Sequence, residues 1–238
     1  MPRAAAEMLV EEVTMELPDV KLIRLKWPEG YAPEFQTGQF ITLNWPDTPS
    51  YKRAYSICSC ALDHGYFEIA VKREGKMGTR LVDWAKAGDR LQVLPPAGKF
   101  LPALEPGKHL ICLAGGSGVT PFRAFAREAT RRQLDTRLTI LYSVRTPGDI
   151  IFKNEFLRLE DENPHVRFQV TCTRLAPADP WPGRRGRIDA AWIQSHVADL
   201  KSTVFYACGP TAFVETVEQM VVHDLGASKN QMKTEKWG

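Results

Sequence analysis

The sequence changes its hydrophobic period once, and that change restricts the chain to a two-part architecture. From about Val10 to Leu94 it runs in short segments, among them "DVKLIRLKW", "GQFITLNW", "RAYSIC", "YFEIAVKR" and "DRLQVLP", separated by Pro, Gly, Asp and Asn. Alternation at a period of two between such breaks predicts an antiparallel sandwich or barrel. Beyond "GKFLPALEPGKH" the apolar runs "HLICLA", "RLTILYSV", "VRFQVTC" and "TVFYAC" are spaced by helical segments instead. Strand and helix in alternation predict a parallel sheet covered on both faces. The reading is therefore an all-β antiparallel domain, sandwich or barrel, over residues 1–103 and an α/β parallel-sheet domain over 104–238, with a linker near 100–107. A length of 238 residues is enough for two separate cores.

Helices are expected over 121–133, near 149–160, near 190–196 and over 212–225. The first half holds one exception to its strand pattern. "MGTRLVDWAKAGD" has helical spacing at Leu81, Trp84 and Ala85 and closes with Gly88, which predicts a short helix between strands.

Hydrophobic residues make up 44% and charged residues 25%, the balance of a folded globular chain. A formal charge of +3 is too small to suggest a nucleic-acid binder. No apolar run approaches the roughly 20 residues of a membrane span, and "MPRAAAEMLVEEV" meets acidic residues too early for a secretory signal. Cys58, Cys60, Cys112, Cys172 and Cys208 form an odd set without a disulfide framework, which suits a reducing, cytoplasmic compartment. Their spacing holds neither zinc nor an iron–sulfur cluster, so no metal is expected.

Three short stretches carry chemistry. In "LAGGSGVTPFRA" a buried strand ends, Gly115, Gly116 and Gly118 make a tight turn, and Thr120-Pro121 reads as helix cap and first helical residue. An exposed helix start behind glycines suits a pyrophosphate, although the spacing matches neither the usual dinucleotide fingerprint nor a phosphate loop. The same letters also describe an ordinary strand-to-helix turn. "YACGPTAF" repeats the geometry: Gly209-Pro210 turns sharply, and Cys208 stands at the carboxyl edge of the sheet, where ligands of open α/β folds bind, or is simply a small buried hydrophobe. "RAYSIC" is either a half-buried strand or a ligand strand that offers a cation, an aromatic face and a hydroxyl.

In this order, on an all-β half followed by an α/β half, "RAYS", "GGSGVTP" and "CGP" resemble the ferredoxin–NADP reductase superfamily over nearly the whole chain. The resemblance implies a flavin-binding barrel followed by a nicotinamide-nucleotide domain. It implies that Arg53 holds the flavin phosphate, that Tyr55 lies against the isoalloxazine ring, and that Ser56 reaches its reactive N5 edge, with Ala54 and Lys72 among the flavin-binding residues. "GKMGTR" matches the second flavin segment, in which Gly78, Thr79 and the start of the following helix cradle the pyrophosphate. That favours FAD over FMN. "KTEKWG" resembles the closing strand, with Glu235 approaching the flavin and Trp237 as its aromatic, while Cys208 is placed beside the nicotinamide with Gly209 and Pro210. Ser56, Cys208 and Glu235 are the expected catalytic set.

What the family resemblance implies is a reductase that takes hydride from NADPH, or NADH, and passes electrons singly to a separate ferredoxin or to an oxygenase or desaturase component. Thr173-Arg174, after the third strand of the second half, stands where relatives meet the 2′-phosphate, and Arg145, Arg184 or Arg185 could add charge. A rim of Lys52, Arg53, Lys72, Arg73, Lys76 and Arg80 suits an acidic carrier. Two other functions share these motifs: a reductase of free flavin or small quinones, and a non-catalytic electron-transfer subunit of a larger complex.

Overall fold

The computed structural model describes residues 5–31 and 33–237. One compact unit ends at Leu101 and a second begins at Pro102.

The first unit is a six-stranded antiparallel sheet of β1 (Ala6–Leu17), β2 (Val20–Lys26), β3 (Phe40–Asn44), β4 (Arg53–Ser56), β5 (Tyr66–Lys72) and β6 (Arg90–Val93), in the order β4-β3-β6-β1-β2-β5. Its two edges meet at one isolated bridge, Ile57 to Ile69, beside a 2.8 Å bond from the Cys58 N–H to the Glu68 carbonyl. The sheet thus curls back on itself at that point. Inward residues of alternating strands, Met8, Val10, Ile23, Leu25, Ile41, Leu43, Phe67 and Ile69 among them, form its core.

β1, the longest strand of the unit, escapes the run-by-run reading of the sequence. Met8 and Val10 are buried, then the register with β2 shifts between Val10 and Glu12, and Val13 packs against the core in their place. The extra residue of the bulge moves the inward phase by one and breaks the alternation that would announce the strand.

Helix α1 (Gly75–Trp84) is the expected short helix, but Trp84 is 74% exposed. The buried arc is Met77, Gly78, Leu81 and Val82, continued by Ala85 just past the helix end, and at 100° per residue Trp84 falls at the rim of that arc.

The second unit is a six-stranded parallel sheet in the order β10-β9-β8-β7-β11-β12, from β7 (His109–Gly115), β8 (Arg137–Val144), β9 (Val166–Cys172), β10 (Arg184–Arg185), β11 (Thr203–Pro210) and β12 (Met232–Trp237). β7 is buried at every position, as a central strand covered on both faces must be. On one face Ile111, Leu113, Phe205 and Ala207 pack with Ile193 of α4 (Ala190–Ser195) and with Val214 and Val217 of α5 (Thr211–Gln219). On the other, Phe125 of α2 (Thr120–Arg131) meets Tyr206 edge-on at 5.4 Å, and Phe156 of α3 (Lys153–Glu162) stacks on Phe168 at 4.6 Å.

Two helix starts differ from expectation. Thr120 does not cap α2: a 3-10 turn over Gly116–Val119 precedes the helix, Thr120 is already helical, and its hydroxyl donates to the Ser117 carbonyl at 2.9 Å. α3 begins at Lys153, not near Asp149, because Thr146 and Asp149 close a capping box around a separate 3-10 turn and Phe152 breaks the helix with a left-handed φ of 59°.

Candidate functional site

In the first unit the sheet register sets the "RAYS" residues one by one. Arg53, Ala54, Tyr55 and Ser56 lie opposite Leu43, Thr42, Ile41 and Phe40. Tyr55 packs half-buried against the core, and burial pushes its phenol above its usual range while the Arg53 cation opposes that rise, so it presents a neutral ring. Arg53 is exposed, lies over the Tyr51 ring at 4.4 Å and donates to the Lys52 carbonyl at 2.7 Å. No carboxylate pairs with it among the described residues. Ser56 is half-buried beside it on the strand.

The "GKMGTR" segment is shifted from its expected place. α1 starts at Gly75, so Gly78 and Thr79 lie inside the helix and not ahead of it, Gly78 buried and Thr79 exposed. The reason is a close approach: a Cβ on Gly78 would stand 2.4 Å from the Lys72 carbonyl oxygen, so only glycine lets the helix rest on the end of β5. The N-cap, Glu74, makes no side-chain cap and the first turn holds no acidic residue. An unpaired guanidinium, an uncapped helix start and a neutral half-buried phenol fit a ligand that is flat at one end and anionic further along, as FAD is.

The expected positive rim is half neutralised. Lys72 pairs with Asp19 at 3.7 Å, Arg73 with Asp83 at 2.8 Å and Arg80 with Asp47 at 2.7 Å, which leaves Lys52, Arg53 and Lys76 without a carboxylate partner among the described residues. Trp45, Asp47 and Tyr51, which hold two of these arginines, are not in the motif reading. Their signal is the aromatic, proline-rich loop "WPDTPSY" just ahead of "RAYS".

In the second unit the two glycine motifs interlock. A Cβ on Gly118 would stand 2.0 Å from the carbonyl oxygen of Cys208, so the turn after β7 rests directly on the backbone of β11. Phe213, in the first turn of α5, fills the space that Cβ atoms on Gly115 and Gly209 would take, at 2.8 and 2.9 Å from its ring. This aromatic, inside "YACGPTAF", is a further part of the site that the motif reading leaves out. Gly116 takes a left-handed φ of 55° and opens the 3-10 turn; neither that turn nor α2 carries a side-chain cap, and Pro121 lies in the first turn of α2.

Cys208 and Glu235 are register partners on β11 and β12, and the thiol approaches a Glu235 carboxylate oxygen at 3.9 Å. The Cys208 side chain is fully buried and does not project from the sheet edge; burial, and then the Glu235 carboxylate, drive its thiol far above the usual range. Trp237 pairs with Pro210, and its carbonyl accepts from the Thr211 hydroxyl at 3.2 Å, so this aromatic is half-buried at the end of a paired strand.

At the carboxyl ends of β8 and β9, the Arg174 N–H donates to the Arg145 carbonyl at 2.8 Å, and both side chains are exposed. Thr173 donates its hydroxyl to the Val144 carbonyl at 3.0 Å, so toward a ligand it can accept but not donate. Arg184 pairs with Asp189 and lies over Trp192 at 5.0 Å, and Arg185 donates to the carbonyls of Ala176 and Asp179. Those two arginines serve the loop that carries them.

Residues 7–101 match the oxidoreductase FAD-binding domain family and residues 112–219 the oxidoreductase NAD-binding domain family. The chain is 32% identical to the glycine betaine monooxygenase reductase subunit of Chromohalobacter salexigens over 191 residues, 79% of this chain and 52% of that one, so it spans about half the length of that curated relative. It is 29% identical to ferredoxin–NADP reductase B of Sorangium cellulosum over 234 residues, 92% of each chain. A ferredoxin NADP+ reductase of Neisseria gonorrhoeae with bound FAD and NADP shares the fold at a TM-score of 0.82 and 24% identity, covering 98% of both chains.

Proposed function

The chain belongs to the ferredoxin–NADP reductase superfamily, and on that premise we propose that it takes hydride from NADPH, in preference to NADH, and delivers electrons one at a time to a separate ferredoxin or oxygenase component. Bound FAD supplies the chemistry that joins two-electron uptake to one-electron release. The protein's own residues bind and orient. Arg53 and the start of α1 hold the flavin's phosphates, while Tyr55 gives its ring a face. The turn at Gly115, Gly116 and Gly118, leading into Thr120 and Pro121, receives the nucleotide pyrophosphate, and Arg145 and Arg174 receive the 2′-phosphate.

The observation that carries this reading is the seating of Gly118 on the Cys208 carbonyl. It brings the anion-binding turn and the Cys208–Glu235 pair to the same carboxyl edge of one sheet, the edge where open α/β folds bind ligands. A protonated, buried thiol there sets the bulk beneath that edge and places no charge behind a reacting ring. Buried cysteines that form no disulfide among the described residues agree with a cytoplasmic setting. The relatives named as an oxygenase reductase subunit and a ferredoxin–NADP reductase support a protein acceptor.

Steady-state oxidation of NADPH and NADH, each with ferricyanide and with a ferredoxin, tests the proposal. Turnover with both acceptors and a higher kcat/KM for NADPH is expected. Turnover with free flavin or quinones alone would replace the protein acceptor by a diffusible one.

A further inference from the structure

Arg80 of α1 is gripped by the loop that leads into β4. Its guanidinium donates in a fork to both Asp47 carboxylate oxygens, at 2.8 and 2.7 Å, reaches the Thr48 hydroxyl at 3.3 Å, and lies over the Trp45 ring at 4.4 Å. The loop continues by turn bonds, the Thr48 N–H to the Trp45 carbonyl and the Tyr51 N–H to the Thr48 carbonyl, both 3.0 Å. Tyr51 in turn carries the Arg53 guanidinium over its ring at 4.4 Å. An unbroken set of contacts therefore runs from α1 through Arg80, Asp47, Thr48 and Tyr51 to Arg53.

We propose that Asp47 and Arg80 are positioning residues for the flavin: their clasp fixes the loop that aims Arg53 at the flavin phosphate, in register with the start of α1. The inference rests on the proposed flavin site and adds to it two residues that touch no ligand themselves. Its placement argues against a role in stability. The side chains of Arg80 and Asp47 are 35% and 64% exposed, and exposed ion pairs contribute little to folding. A forked carboxylate, by contrast, fixes orientation, which is what a loop presenting a second guanidinium needs.

The experiment is a double-mutant cycle on FAD dissociation from the flavin-loaded full chain, read by recovery of flavin fluorescence on dilution, with circular dichroism to verify folding. Arg53→Ala should raise the dissociation constant by about tenfold or more, and Asp47→Ala by roughly fivefold, but Asp47→Ala added to Arg53→Ala should change it less than about twofold, because the clasp acts through Arg53. Arg80→Lys, which keeps charge but loses the fork, should behave like Asp47→Ala, and Asp47→Glu should recover most of the affinity. Additive losses, or a wild-type constant in Asp47→Ala, overturn the clasp while leaving the flavin site standing. A wild-type constant in Arg53→Ala overturns the clasp together with the flavin site it rests on.

Discussion

Cys208 and Glu235 face each other across β11 and β12, thiol to carboxylate oxygen 3.9 Å apart. Burial and the neighbouring carboxylate both keep the thiol protonated, so it should resist alkylation by iodoacetamide in the folded chain at pH 8. On the proposed function its part is bulk and position. Cys208→Ala is expected to slow hydride transfer from NADPH by roughly tenfold to a hundredfold while changing nucleotide affinity much less. Rapid-mixing kinetics decide the matter: a normal transfer rate would remove Cys208 from the reacting edge.

Arg174 and Arg145, joined by a backbone hydrogen bond and both exposed, present two cations at the carboxyl edge. Arg174→Ala should cost NADPH about 1.5–3 kcal/mol in kcat/KM and leave NADH nearly unchanged, since only the former brings a dianionic phosphate. Equal losses for both nucleotides would put the phosphate elsewhere.

Gly118 has backbone on the far side of its missing Cβ, 2.0 Å away, and backbone cannot rotate aside. Gly118→Ala should destabilise the second unit by about 1–3 kcal/mol or more and weaken nucleotide binding. Gly148→Ala is the control, because a Cβ there meets only the Thr146 hydroxyl at 3.7 Å. Urea unfolding curves that coincide for the two variants would contradict the close approach.

His109 is 4% exposed; its Nε2 lies 2.9 Å from the Thr139 hydroxyl and its Nδ1 has no partner. Burial, with Arg137 and His196 adding to it, lowers its pKa to about 4. The folded chain resists protonation here and the unfolded chain does not, so the contribution of neutral His109 is complete above about pH 6.5 and is lost as pH falls toward 4, by up to about 3 kcal/mol. Urea midpoints between pH 4 and 7 should fall more steeply with acidification for wild type than for His109→Gln. Equal slopes would assign the acid sensitivity to other groups.

The change of hydrophobic period was enough to separate antiparallel from parallel sheet, because it depends only on where apolar side chains recur. The glycines of "GGSGVTP" were legible for a related reason, since a residue without a side chain marks close approach. What each glycine approaches was not: Gly118 meets Cys208, ninety positions away in the chain, and Gly78 meets the Lys72 carbonyl. β1 was hidden by its bulge at Glu11-Glu12, which shifts the phase of burial. The rim charges read as one patch because pairing with Asp19, Asp47 and Asp83 is a tertiary fact. Thr120 looked like a cap until the 3-10 turn ahead of it claimed its hydroxyl.

The parallel sheet ends in β10 on one side and β12 on the other. β10 is two residues long, both arginine, and offers a passing chain almost no ladder to extend. β12 is longer; Lys233 stands exposed along it, and Lys236 pairs with Glu215 at 2.9 Å. An incoming strand would have to desolvate Lys233 and the Lys236–Glu215 pair, and each additional copy would meet the same cost. A two-residue edge on one side and a charged edge on the other therefore act against end-to-end growth of the sheet, and replacing Lys233 with a neutral β-branched residue is expected to weaken that protection.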